Sequence, residues 1–412
     1  MFLVAIVFGL SAGIPLTPDA RLTAFDLGAL LLFSLYFRLL SNDPSIRRLM
    51  LLFLVYVVVS FFSTAINGVP LLNFARRVGG TLLLVLDFCG VYAFFLTATV
   101  RSICLFIVCM MLGMFAYLIY PPDLRVREEP IKFLLATPIG VLIGGLFALS
   151  RLPRLPSKIM ITLLSLVTAW IFFLHGARNG GGVIVASLAF VWFNYPIRKL
   201  KQLNRRPFRL GLYAALFGAA GYGLITLYTY AALQGYFGER AASVVRFQQQ
   251  FFGSILLGGR PEIYVNLVAL SESPLIGWGP LAEDLYHRKM LLDLGVYNEY
   301  WFQQDSPLYH SMIFGSGHEA GAGAMLLWLL LLYWCIKASI ALLTVQNRLR
   351  YFSVLLLASV WSLLFSPLIS TGRPLLAVGA AFALMLIKAT NRIAVADEPT
   401  RGASTLLPAE VK

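Results

Sequence analysis

Three stretches of this sequence gather residue types that handle anions and protons. The first is His175-Gly-Ala-Arg178-Asn-Gly-Gly-Gly182, a tight turn between two apolar runs. Consecutive glycines let backbone N–H groups approach a ligand, and a guanidinium grips phosphate through paired hydrogen bonds. The second is Gly258-Gly-Arg260-Pro-Glu262, where glycines and proline fix the direction of Arg260 and Glu262 stands close enough to orient it. It continues through an amphipathic run, 263–270, into Ser273-Pro-Leu-Ile-Gly277-Trp-Gly279, a turn whose Trp278 reads as a membrane-interface anchor. The third is Pro307-Leu-Tyr309-His310-Ser311, followed by Phe314-Gly-Ser-Gly317-His-Glu319-Ala-Gly321. A histidine with its ordinary pKa of about 6.5 is mostly neutral at pH 7, as a general base requires.

Each stretch also has a plainer use. Arg178 can snorkel to head groups from a Gly-rich hairpin, and Arg260–Glu262 can be a structural pair opening an interfacial helix. His310 can cap a helix, Gly317 and Gly321 can serve close helix packing, and Glu319 can sit against the dipole of a helix start. No Asp-x-Asp, His-x-x-His or clustered carboxylate occurs in the long loop, and Glu283–Asp284 is the nearest approach. No metal site and no cofactor is therefore expected. A phosphate-bearing leaving group would have to be stabilised by arginines instead.

The elements that must position these residues follow from composition. Of 412 residues, 59% are hydrophobic and 13% charged, and the mean hydropathy is +0.80. An ordinary globular domain has roughly 45–50% apolar and about 25% charged residues. Too few polar side chains remain to cover a water-facing surface, so the chain reads as an all-α polytopic membrane protein. Disordered, disulfide-rich secreted and soluble nucleic-acid-binding classes are excluded. Cys89, Cys104, Cys109 and Cys335 all lie in apolar runs, the packing use of a small hydrophobe.

At about 20 apolar residues per span, the sequence predicts some twelve helices, over 1–16, 24–40, 48–66, 80–98, 102–120, 132–150, 158–175, 181–195, 210–235, 320–343, 351–368 and 374–390. Residues 1–16 lack a basic leader and a small-x-small cleavage site, so they read as a first span rather than a signal peptide. The organisation is a membrane domain, 1–235, one large loop with short helices, 236–319, three closing spans, 320–392, and a disordered tail, 393–412.

Lys and Arg number 33 against 19 Asp and Glu, a net charge of +14. With the N-terminus inside, the cytoplasmic loops collect the basic residues, from Arg38, Arg47 and Arg48 through the Arg198–Arg209 cluster to Lys388 and Arg392. Loop 236–318 carries five basic and eight acidic residues. That asymmetry follows the positive-inside rule and places all three motifs outside. Arg76–Arg77 is the exception, marking either a misplaced span or a local task.

In these motifs the sequence resembles the O-antigen ligase/polymerase superfamily of bacterial envelope glycosyltransferases, which has about twelve spans and a GT-C-like helical fold. The matching features are the long outer loop before the last three spans and the order of the motifs across 170–370. Arg178 matches the family's arginine in a short Ser-Arg-Gly-like turn. Arg260 matches the loop arginine before a Pro-x-x-Gly-x-Gly turn, here Pro274, Gly277 and Gly279. His310 matches a His-Asn motif preceding an acidic residue and glycine, here Glu319 and Gly321. Phe365-Ser-Pro-Leu, with Arg373 beyond it, resembles polymerase members. Ser311 replaces the family Asn, Ala177 the Ser before the first arginine, and Ala324 a later glycine.

The resemblance implies transfer of a glycan from a polyprenyl diphosphate to a sugar hydroxyl of a lipid-linked repeat or lipid A core. It would take place at the periplasmic face of the inner membrane, without metal or nucleotide sugar. Arg178, Arg260 and His310 would be catalytic, with Arg373, Glu262, Glu319 and Tyr309 lining the substrate. Tyr297, Tyr300, Trp301 and Tyr309 could stack on sugars. The expected function is polymerisation of repeat units. A ligase passing finished glycan to lipid A core is the alternative within the family, and a secondary transporter the alternative outside it. The expected partners are the lipid-linked donor, the glycan acceptor and the bilayer, with no nucleic acid.

Overall fold

The structure, a computed structural model, describes residues 1–17, 22–121, 124–150, 154–192, 219, 222–223, 225–250, 260–282, 284–293, 311–344, 348–368 and 372–396. These residues are almost wholly helical, and among them the sole extended pairing is an isolated antiparallel bridge, Pro15–Thr23. The main helices, in chain order, are α1 (Phe2–Leu10), α2 (Ala24–Leu35), α3 (Pro44–Ile66), α4 (Leu71–Thr97), α5 (Val100–Met114), α6 (Ala136–Leu149), α7 (Arg154–Leu174) and α8 (Arg178–Trp192). After them come α9 (Glu239–Gln250), α10 (Pro261–Glu272), α11 (Leu285–Asp293), α12 (Met312–Ala320), α13 (Ala322–Thr344), α14 (Ser353–Phe365) and α15 (Gly372–Ala396). Single helical turns lead into α6 and α14 and extend α5.

Eight helical segments among the described residues are long and apolar enough to cross a membrane. They are α3, α4, α5, α6, α7, α13, α14 and α15, some with their adjoining turns, and they make the chain a helical polytopic membrane protein. Helices α1 and α2 are apolar but shorter. Helix α8, at 15 residues, reaches about 22 Å, less than the roughly 30 Å of a hydrocarbon core. The first part of the predicted ninth span, 210–218, and the tail beyond 396 lie outside the described residues, while 225–233 of that span is helical. Helix α15 continues to Ala396, past the predicted start of the tail at 393.

Local sequence sets the helix ends. Asp43 caps α3, its carboxylate accepting from the Ser45 N–H at 2.9 Å, with Pro44 at the first helical position. Thr99 caps α5 and Ser311 caps α12, each hydroxyl accepting a backbone N–H at 3.2 Å. Helix α7 ends in a Schellman turn. Gly176 takes φ +73°, the Ala177 N–H bonds Phe172 O at 2.8 Å, and the Gly176 N–H bonds Phe173 O at 3.2 Å.

Helices α4 and α15 form the inner pair, with α2, α3, α13 and α14 against them. In the apolar window of α15, 72% of residues are buried, against 28% in that of α3. Leu51, Leu54, Val58, Phe61 and Phe62 lie outward on α3. In a soluble protein such a face would be an unstable patch, and in a bilayer it is the lipid-facing surface.

Polar contacts define the two ends of the bundle. At one, called here the upper end, the α3–α4, α7–α8, α12–α13 and α14–α15 junctions meet the α10–α11 region. At the lower end Asp43 accepts from Tyr92 Oη at 3.0 Å and pairs with Lys388, and Arg348 Nη1 bonds Ala148 O at 3.3 Å.

Candidate functional site

Arg178 and Arg260 meet at the upper end. Arg178 opens α8, and its Nη1 donates to the Oε1 of the buried Gln248 on α9 at 2.9 Å. Arg260 precedes α10, and its Nε donates to Phe365 O at the end of α14, at 3.1 Å. With its side-chain oxygen facing them, Asn179 accepts from Arg260 Nη2 at 3.0 Å and from Trp361 Nε1 at 3.3 Å. Helices α8, α10 and α14 therefore share one polar junction. Burial lowers the Arg260 pKa from its usual value. The Glu262 carboxylate opposes that shift and the Arg178 guanidinium adds to it. Glu262 is buried in the first turn of α10, where a carboxylate also suits the helix dipole.

His310 and Tyr309 lie outside the described residues, as do Tyr297, Tyr300 and Trp301. The residue after the histidine, Ser311, is fully buried, and its hydroxyl donates to Leu363 O at 3.4 Å. Leu363 is two residues from the carbonyl that receives Arg260. Ser311 thus works as the α12 cap beside the arginine junction.

Of the first motif's glycines, Gly176 closes the Schellman turn and Gly180, Gly181 and Gly182 lie in the first turns of α8. A Cβ on Gly180 would come within 2.3 Å of Ala136 Cβ and one on Gly181 within 2.7 Å of the Phe173 ring, so these two allow helices to approach, while Gly182 has open space around it. The Trp278 indole donates to Ala269 O at 3.1 Å and packs on Tyr286 and His287.

Glu319 is near the end of α12 rather than at a helix start. It accepts from Arg77 Nε at 2.6 Å and from the Leu281 N–H at 3.3 Å. This gives Arg77 a local task. Helix α4, at 27 residues, is about 40 Å long, longer than the roughly 30 Å of a hydrocarbon core, and Arg76 and Arg77 lie in its first two turns. Around Glu319 the 274–281 turn is stitched to the α12–α13 junction. Trp278 N–H bonds His318 O at 2.8 Å, Gly279 N–H bonds Glu319 O at 2.9 Å, and Ala322 N–H bonds Pro274 O at 2.8 Å. Gly277 and Gly321 make this possible, both at positive φ and each with neighbouring backbone about 2.5 Å from where a Cβ would stand.

Arg373, at the start of α15, is buried and forms ion pairs with Asp26 of α2 and, at 3.2 Å, with Asp87 of α4. Its described partners are these carboxylates within the bundle, not the residues of the arginine junction.

Sequence spacing missed one cluster. Asp284 caps α11, its Oδ1 accepting from the His287 N–H at 3.0 Å. Its Oδ2 meets His287 Nδ1 at 2.5 Å and His318 Nε2 at 2.8 Å. The outer ring nitrogens meet Glu272 Oε2 at 3.1 Å and Asn266 Oδ1 at 2.9 Å. The Asp-x-x-His spacing, a cap and the third helical position, was the available signal. His318 enters only through the fold. A cavity of about 280 Å³ lined by Arg101, Arg348 and apolar residues lies at the lower end, away from every candidate residue.

Compared with protein-family models, curated proteins and solved structures, the chain matches none.

Proposed function

We propose that this chain is a membrane glycosyltransferase that moves a glycan from a polyprenyl diphosphate to a sugar hydroxyl, polymerising O-antigen or exopolysaccharide repeat units. In this reading it has about twelve spans, and the upper end faces the periplasm from the bacterial inner membrane. The observation that carries it is the junction of Arg178 and Arg260. Each arginine charge disfavours the other at this junction, and among the described residues the Glu262 carboxylate acts on Arg260. Such a pair of guanidinium groups suits an anion such as a diphosphate, placed where negative charge builds as a glycosidic bond to phosphate breaks.

In the reaction the acceptor hydroxyl attacks the anomeric carbon and the carbon–oxygen bond to the diphosphate breaks. The polyprenyl diphosphate leaves as an anion against the arginines, and the hydroxyl proton passes to a base. His310 has that role by family resemblance. The exposed apolar faces of the bundle leave the lipid tail in the bilayer.

Deletion of the chain in its host tests the reading through the lipid-linked intermediate that accumulates. Single repeat units are expected. Accumulation of full-length polymer would make the enzyme a ligase acting on lipid A core. One observation favours a different class: Arg373 with Asp26 and Asp87 places buried charge inside the spans, as secondary transporters do. Uptake of labelled substrate into vesicles with no product formed, abolished by Asp87→Asn, would support transport and overturn sugar transfer.

A further inference from the structure

We propose that Asp284, His287 and His318 bind one divalent transition-metal ion of zinc's class. This binding does not depend on the sugar-transfer reading. Two imidazole nitrogens and a carboxylate oxygen are a donor set that zinc favours. The three side chains are nearly inaccessible, at 4%, 0% and 0% exposure, and their ligand atoms lie within 4.8 Å of one another.

The surrounding groups match those of a metal site. Each ring's outer nitrogen faces an oxygen, Glu272 for His287 and Asn266 for His318. Such partners take the outer N–H, fix the ring and leave the inner nitrogen with its lone pair toward the centre. Carboxylate oxygens of Asp284 and Glu272 face both nitrogens of His287, a setting that a cation between its inner nitrogen and Asp284 would complement. The His287 and His318 rings have centroids 5.1 Å apart, so one ion could reach both. The Trp278 and Tyr286 rings, centred 4.9 and 4.8 Å from that of His287, screen the cluster from water.

The inner nitrogens stand 2.5 and 2.8 Å from Asp284 Oδ2. Ligand atoms around tetrahedral zinc lie about 3.3 Å apart, so an ion would part each nitrogen from the carboxylate oxygen by less than about 1 Å. It would join α11 to α12, which follows His310, and through the outer partners Glu272 and Asn266 would hold α10, which follows Arg260. Its role would be to position the site rather than to react.

The test uses the full chain, purified in detergent without a polyhistidine tag, stripped with a chelator, incubated with zinc and desalted. Elemental analysis should find about one zinc per chain in the native protein, and under about one tenth of that in His287→Gln and His318→Gln. His175→Gln, altering an exposed histidine, should retain it. The absorption-edge spectrum of the zinc-loaded native protein should show two imidazoles and oxygen at about 2.0–2.2 Å, a readout that stands if the variants fail to fold. No retained zinc in the native protein, fewer than two imidazole ligands, or full occupancy in His318→Gln would each overturn the proposal in favour of a proton-only cluster.

Discussion

An arginine beside another arginine is destabilised unless an anion compensates, because each charge disfavours the other. Arg178 and Arg260 are held in that relation by fixed partners, Gln248 for one and Asn179 with the Phe365 carbonyl for the other. Such anchoring makes the guanidinium plane, and not only its charge, part of the site. Arg260→Lys keeps the charge but loses the fork that bonds Phe365 O and Asn179 together. The expected outcome is a fall in glycan transfer of about 10²–10³-fold, with normal amounts of protein in the membrane. Near-normal polymer from that strain would remove Arg260 from the site. Both arginines were visible in the sequence because Gly, Pro and Asn around a lone cation stand out against apolar runs. The Asp284–His287–His318 group was not, since two of its members are separated by a long stretch of loop and meet only when the 274–281 turn docks on α12.

At the scale of elements, hydropathy showed most of the spans, whose burial pattern repeats over whole helices. It misjudged the ends. Helix α4 begins at Leu71 rather than near 80 because the Arg77–Glu319 pair lets a charged turn extend beyond the apolar stretch. The glycines were harder still, because the same residue serves a nest, a helix contact or a left-handed turn. Two substitutions separate these uses. Gly321→Ala forces a side chain into φ +74° and to within 2.5 Å of the Leu275 backbone. It should cost more than about 1 kcal/mol and lower the thermal unfolding midpoint in detergent. Gly182 lies inside α8 with nothing within 4 Å of an added Cβ. Gly182→Ala should stabilise by roughly 0.5–1 kcal/mol and leave transfer unchanged. If Gly182→Ala abolished transfer without loss of stability, the helix-packing account of that motif would be wrong and a backbone anion nest would return.

For the whole molecule, the functional reading depends on which end of the bundle meets which compartment. The fold gathers Arg178, Arg260, Glu262, Glu319 and the histidine cluster at the upper end, and Asp43, Lys388 and Arg348 at the lower. Basic loop residues favour the cytoplasmic side for the lower end. The four native cysteines are buried, so single introduced thiols can report sidedness. Leu275, 80% exposed in the upper turn, and Asn42, exposed beside the α3 cap, are suitable positions. In cells with a permeabilised outer envelope, a membrane-impermeant maleimide should label Leu275→Cys at once and Asn42→Cys only after lysis. The reverse pattern would turn the arginine junction toward the cytoplasm. A lipid-linked glycan already carried across the membrane could then no longer reach it, and sugar transfer at the outer face would have to be abandoned whatever the chemistry of the two arginines.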